Sequence, residues 1–302
     1  MPLDPRELFE LEPGLPDLGR PVLIQALDGF VDAGGGRRLA REHLLAGSEP
    51  AVVARFDVDQ LLDYRARRPP MVFIEDHWES YADPELVVHA LADATGTPYL
   101  MLSGPEPDYQ WERFVGAVIL LVEELGVRLS IGLNAIPMGV PHTRPVGVIA
   151  HATRPDVVTG FESWVNAVQV PGAAGHLVEF RLGHAGHDAA GFAVHVPHYL
   201  AATDYPAAAE ALLQSVSRIS GLVLPTEALA IAAVETRRLV DEQIVQSEDV
   251  AAVVHALEEQ YDEFVAGRGP RLVADGASLP TADEIGAELE RFLADQRGLG
   301  DT

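Results

Sequence analysis

Apolar residues along this chain fall into two textures: short unbroken runs, and longer stretches in which they recur every three or four positions. Val22, Leu23, Ile24, Ala26 and Leu27 make one short run, bounded by Pro21 and Gly29, that reads as a buried strand. Gly34, Gly35 and Gly36 follow, and helical spacing then runs from Arg37 to Leu45. Strand, glycine-rich turn and helix open an α/β fold, with the turn at the carboxyl rim of a parallel sheet, where ligands of such folds bind. The same reading predicts strands over Ala51–Phe56, Met71–Ile74, Tyr99–Leu102, Val127–Leu133, Val146–Ile149 and His176–Phe180, and a short one within Phe192–Leu200. Helices are predicted over Tyr109–Gly126, Pro206–Ser220, Thr226–Val245 and Glu248–Val265, with Asp108 and Ser247 placed as caps. The stretch from 57 to 98 is too long and too patterned for a plain loop. Its portion near Met71–Trp78 therefore reads as a strand or hairpin insertion of the kind that serves a subunit interface.

These textures divide the chain into four parts. Residues 1–20, rich in proline and acid, read as a surface arm, and 21–224 as the α/β core. Residues 225–267 read as a helical pair, and 268–302 as an acidic tail in which Ala282–Leu293 has amphipathic helical spacing.

Composition narrows the chemistry. With 302 residues the chain can bury a large core. Its net charge of −25 repels phosphate backbones and anionic bilayers, so neither nucleic acid nor membrane is an expected partner. All 21 basic residues are arginine, which removes a phosphate-clamping, Schiff-base or general-base lysine. There is no cysteine, and hence no thiol nucleophile, disulfide or thiolate metal site. The first residues are acidic without an apolar core and do not read as a signal peptide, and Val115–Val122 is too short to span a bilayer. A cytoplasmic protein without a cofactor is the expectation.

Three connectors, Asp28–Gly36, Gly104–Asp108 and Pro137–Arg144, follow strands expected to run parallel, so they should meet at one rim. Asp28, Asp32, Glu106, His142, Thr143 and Arg144 are then candidates for a shared cleft, with Gly34 and Gly35 offering bare N–H groups to an anion. Two carboxylates flank that turn and oppose phosphate unless a cation lies between them; the plain alternative is glycine chosen for a tight turn. His142, Thr143 and Arg144, held between Pro141 and Pro145, form either a recognition element for a carboxylate or phosphate or a structural lock. The pairs His184/His187 and His195/His198 lack a third ligand, so no metal is expected. Tyr64, Arg65, Arg67 and Arg68 suggest a subunit contact, together with Trp78 of the insertion, or else arginines paired with Asp57, Asp59 and Asp63. Trp111 and Trp164 read as core anchors. Neither a Gly-x-Ser-x-Gly nor a Gly-x-Gly-x-x-Gly motif is present.

Five segments together carry a family likeness: Asp28-Gly-Phe-Val-Asp-Ala-Gly34; Phe56-Asp-Val-Asp59 with Asp63-Tyr-Arg-Ala-Arg-Arg-Pro69; Gly104-Pro-Glu-Pro-Asp108 with Trp111; Pro141-His-Thr-Arg-Pro145; and Val196-Pro-His-Tyr199. Over residues 20 to 265 the chain resembles the bacterial, chiefly actinobacterial, branch of the proteasome assembly chaperone family of the second-subunit type. The resemblance implies a Rossmann-like, phosphorylase/hydrolase-like three-layer core related to purine nucleoside phosphorylases and peptidyl-tRNA hydrolases. It also implies a hairpin insertion used in homo-oligomers, often trimers, and a carboxyl-terminal helical lid over a pocket. Some archaeal and eukaryotic relatives dock on proteasome α-rings through a hydrophobic-Tyr-any tripeptide. Here the sequence reads Gly300-Asp301-Thr302, which argues against docking by that route.

Two functions follow. One is a non-enzymatic, oligomeric assembly or scaffold protein with proteasome subunits as candidate partners. The other is a small-molecule-binding protein or hydrolase/phosphorylase-like enzyme using the rim cleft, with Arg144 orienting an anion, His142 as acid or base, and Asp28 or Glu106 as its carboxylate partner.

Overall fold

The run Val22-Leu-Ile-Gln-Ala-Leu-Asp28 is buried on both faces up to its last residue, as a central parallel strand requires. The computed structural model of the protein describes residues 3–267 except 16, 30 and 162–166. In chain order it contains β1 (Phe9–Leu11), β2 (Val22–Asp28), α1 (Gly36–Ala46), β3 (Ala51–Phe56), β4 (Met71–Ile74), β5 (His77–Tyr81), β6 (Val87–Ala92) and β7 (Pro98–Pro105). There follow α2 (Trp111–Glu124), β8 (Leu129–Met138), β9 (Val148–Ala152), α3 (Ala174–His184), β10 (Ala189–Pro197), α4 (Pro206–Ser220), α5 (Glu227–Val245) and α6 (Glu248–Val265).

Eight strands form one sheet in the order β1-β3-β6-β7-β2-β8-β10-β9, and β4-β5 form a separate hairpin. The central four, β7-β2-β8-β10, are parallel, and the flanking strands pair antiparallel. Ile24, Ala26, Ile131 and Leu133 face α1 and α4 through Ala40, Leu44, Leu212 and Leu213. On the other face Leu23, Leu27, Leu100 and Leu102 meet Phe114 and Val118 of α2 and Val178 and Leu182 of α3. The result is a three-layer, Rossmann-like α/β fold.

Several sequence expectations change. His176–Phe180, read as a strand, lies inside α3, where Ala174, Val178 and Leu182 recur every fourth position and are buried together. The short apolar window cannot by itself distinguish a buried helix turn from a strand. The short run of β6 was missing from the reading, and residues 1–20 do more than wrap the surface: Phe9 pairs with Phe56, and Leu8 and Phe9 enter the core. The Pro105-Glu-Pro107 turn aims Asp108 away from α2. The Asp108 carboxylate accepts from the Asp63 N–H at 2.8 Å and pairs with Arg67 at 2.9 Å, while Gln110, in a left-handed conformation, precedes α2 with no side-chain cap. Ser247 does cap α6, accepting from the Val250 N–H. Ala282–Leu293 and Trp164 lie outside the described residues. Among the described residues no helix is long and apolar enough to cross a membrane.

At the amino-terminal edge of β7, Asp93 fastens the β6–β7 turn to the segment leading into α5. Its carboxylate accepts N–H bonds from Thr95, Thr97 and Val223, each at 2.8 Å. Burial alone would raise its pKa, but the bonds from Val223, Thr95 and Thr97 outweigh that and hold it at about 2, below its usual 3.8. Because the folded value is the lower one, its stabilisation is complete above about pH 4 and is lost as pH falls toward 2. Asp93→Asn should lower the unfolding free energy measured in urea at neutral pH by about 1–3 kcal/mol for a charge-assisted cluster. The gap from wild type should close between pH 4 and pH 2.

Candidate functional site

Because β2, β7, β8 and β10 are parallel, the segments after them emerge at the same edge of the sheet. The three connectors predicted to meet do so, joined by the chain from Pro197 to Tyr205. The glycine turn is built for close approach. Gly34 has φ +62°; its N–H donates to the Ala201 carbonyl at 2.7 Å and its carbonyl accepts from Tyr205 at 2.8 Å. A Cβ on Gly34 would lie 2.6 Å from Tyr205 Cβ, so glycine is needed for both conformation and space. At Gly35 a Cβ would meet the Arg38 guanidinium.

The acidic candidates are engaged by the fold itself. Asp28 pairs with Arg41 of α1. Asp32 accepts from the N–H groups of Arg37 and Arg38 at 2.8 and 2.9 Å, so its carboxylate satisfies the first orphan donors of α1. Glu106 is buried and accepts from the Ala174 N–H at the start of α3 at 2.5 Å, while its own N–H donates to the Asp28 carbonyl at 2.9 Å.

His142, Thr143 and Arg144 form a different group, which holds the helical pair. The Tyr199 hydroxyl oxygen accepts from the His142 N–H at 2.9 Å and lies 2.7 Å from its Nδ1. Assigning the hydroxyl proton to Nδ1 leaves the Nε2 proton for Asp241 of α5, 3.0 Å away. Burial pushes the Tyr199 hydroxyl up to about 12, so it keeps that proton. Thr143 donates to Glu258 of α6. Arg144 grips Asp262 with two bonds, Nε at 2.8 Å and Nη2 at 2.7 Å, and reaches Glu258 at 3.2 Å. The bond to Asp262, with the charges of Asp262 and Glu258, raises the Arg144 pKa, and Arg144 lowers that of Asp262. Tyr261 completes the contact by packing on Met138 and Val140.

The candidates thus share a rim but divide into caps for α1 and α3 and a latch for α5 and α6. The sequence reading did not single out Asp241, Glu258 and Asp262; the four-residue spacing of the last two, on one helical face, was the available signal. It also passed over Asn134, His151, His176 and Glu179, which meet on the α3 side of the sheet, and Arg37, whose charge acts on His176 from the start of α1. Among the described residues no group of three histidine or acidic side chains is placed to hold a metal ion. Beside the Glu106–Asp108 connector, to which Asp63 and Arg67 bond, the Tyr64 hydroxyl donates to Asp59 at 2.5 Å, the Arg65 N–H donates to Asp63, and Arg68 is exposed near the base of the β4–β5 hairpin that carries Trp78.

With this geometry in view, the chain belongs to the PAC2 family, whose profile matches residues 26–244. Its fold is similar to that of the Mycobacterium tuberculosis protein Rv2714, at 51% identity and a TM-score of 0.82, over 88% of this chain and 94% of that one. It is also similar to Rv2125, a proteasome-assembly chaperone homologue from the same organism, at 25% identity and a TM-score of 0.70, over 77% and 99% of the two chains. A PAC2 family protein of Streptomyces avermitilis aligns at 26% identity with a TM-score of 0.67, over 78% and 99%. No match to a curated protein was found.

If Arg144 is the main clasp on α6, Arg144→Ala should speed proteolytic cleavage within 248–265 by roughly tenfold while protection of the sheet stays unchanged. Peptide mapping after limited proteolysis reads this directly, and equal cleavage of the two proteins would show that the apolar contacts hold α6 without the arginine.

Proposed function

We propose that the protein is a homo-oligomeric assembly scaffold, a chaperone-like member of its family, joined through the β4–β5 hairpin and acting on proteasome subunits as partners. The observation that carries this reading is the hairpin itself. Phe73 and Trp78 stack edge to face with centroids 5.1 Å apart, yet are 54% and 63% exposed, and Val72, Ile74 and Tyr81 beside them are also exposed. An isolated two-stranded hairpin is marginal in water, and a contiguous apolar surface of this kind favours a partner. Among the described residues neither of its edges pairs with another strand, so each can accept one.

A second copy is the occupant proposed. The contact is heterologous, hairpin to body, so it must close into a ring, and three copies are the number this reading commits to. The arginines at the hairpin base, Arg65 and Arg68, supply positive charge against an otherwise acidic chain and suit the acidic body of a neighbour. Proteasome subunits enter as partners through the likeness to the assembly-chaperone homologue. A cytoplasmic location belongs to the same reading.

Sedimentation velocity tests the oligomer: wild type should run at about three times the 32.5 kDa chain mass. Phe73→Asp with Trp78→Asp should run as a folded monomer, because both side chains already face solvent. A wild-type monomer at micromolar concentration would refute the proposed assembly. Co-purification of proteasome subunits with wild type, and their loss with the double variant, tests the partner.

A further inference from the structure

The sheet face beneath α3 carries a polar row that neither the caps nor the latch uses. Register aligns Gln25, Gly132, Gly191 and His151 side by side across β2, β8, β10 and β9. Residues in such a row project to the same face. Gly191 is filled: a Cβ there would lie 2.2 Å from His151 Cε1 and 2.9 Å from Glu179 Oε2, so the glycine makes room for the His151 ring, whose Nδ1 lies 2.8 Å from Glu179. Gly132 is open. A Cβ there meets nothing nearer than the Ala190 carbonyl at 3.9 Å, and the residue is partly exposed although β8 is a central strand. Close packing closes most such positions. Two residues along the same face, Asn134 Nδ2 lies 3.2 Å from His176 Nε2 of α3.

Two buried polar groups at this place lack partners. Gln25 is 3% exposed; its Nε2 donates to Ser130 at 2.7 Å, but its Oε1 accepts nothing. Arg37 is 7% exposed, its Nε has no acceptor, and its guanidinium joins no ion pair among the described residues. A guanidinium held mostly within the fold without an ion pair is a ready partner for an anion. Arg37 follows directly on the contact of α1 with β8, where a Cβ on Gly36 would lie 2.9 Å from Ala135 Cβ, and its charge reaches His176. Burial of its inner edge, then the charges of His151 and Arg37, lowers the pKa of His176, which keeps its outer edge exposed.

The position suits a ligand on topological grounds. β2 and β8 pair as far as Gln25 and Gly132, then part, and meet again only at the bridge between Asp32 and Ala135. From this parting the chain after β2 enters α1 on one face, and the chain after β8 leads through β9 to α3 on the other. Adjacent parallel strands whose continuations leave to opposite faces create a crevice at their carboxyl ends.

We propose that this crevice binds a small organic carboxylate, held by Arg37 with Asn134 and His176, whose far end donates a hydrogen bond to Gln25 Oε1 over the open floor at Gly132. Charge selects the class. Glu106 and Glu179 also act on His176, and Asp32 sits at the start of α1, so the surroundings already carry more negative than positive charge and oppose a dianion more strongly than a monoanion. A carboxylate fits that balance and a phosphate dianion does not. The inference is independent of the oligomer proposed above.

Acetate, the probe, carries the carboxylate alone. Thermal unfolding of the full chain should be followed at pH 7 in sodium acetate against sodium chloride of equal ionic strength. A saturable rise of the wild-type midpoint by about 2 °C or more is expected, absent in Arg37→Met, reduced in Asn134→Ala, and smaller with inorganic phosphate. In chloride, Arg37→Met should melt at or above the wild-type temperature, since the Arg37 side chain makes no hydrogen bond or ion pair among the described residues that methionine would lose. The assignment is overturned if wild type shows no acetate response, if both variants keep it, if phosphate exceeds acetate, or if Arg37→Met melts several degrees lower in chloride, as a structural arginine would.

Discussion

Parallel pairing of β7, β2, β8 and β10 fixes where the chain must reverse, and the rest of the molecule is organised around that edge. Four backbone segments leave the sheet there, and helices begin close by with N–H groups that have no intrahelical partner. Asp32 supplies acceptors to α1 and Glu106 to α3, and Gly34 lets the turn after β2 dock on the chain after β10. A rim dense in acidic and glycine residues invites a catalytic reading from sequence. Much of that density answers a backbone requirement instead.

Charge provides the second layer of order. In a chain with more than twice as many acids as bases, an arginine readily finds a carboxylate, and Arg41, Arg154 and Arg181 each do so with Asp28, Asp188 and Glu112. Arg144 takes this furthest by holding two acids of α6 with a guanidinium whose fork matches a carboxylate edge. With lysine absent, arginine supplies the permanently cationic fastenings. Arg65 and Arg68 can remain hydrated at the surface. Arg37 is largely buried, and its guanidinium joins no ion pair among the described residues, which sets it apart from the arginines that hold the fold together.

The order of strands and helices was largely legible because the decisive signals are local. The apolar run before three glycines gave β2 and α1, and the texture change after Pro225 gave the helical pair. Legibility failed where a short window was compatible with two periods, as at His176–Phe180, and where an acid had two possible neighbours, as at Asp108. The rim could be inferred because loops after parallel strands must share an edge. Which side chains on that rim engage each other could not, since His142 meets Asp241 and Arg144 meets Asp262 only after α5 and α6 fold back across about a hundred residues of sequence.

Strand β8 shows what local pattern and global position say when they disagree. Leu129-Ser-Ile-Gly-Leu-Asn-Ala135 alternates apolar and polar as a strand with one wet face does, whereas a strand at the centre of a sheet covered by helices on both sides ordinarily reads as a continuous apolar run. β2 and β10 obey that rule, apart from Gln25 and His195. On β8 the odd positions Ile131, Leu133 and Ala135 are buried in the α1/α4 core, while the even positions Gly132 and Asn134 remain partly open. Packing alone would favour valine or isoleucine at those even positions, as would strand propensity. Their polarity conflicts with local stability and with the neighbouring strands, and such a conflict in an otherwise consistent fold is the mark of a surface kept for contact with something outside the chain.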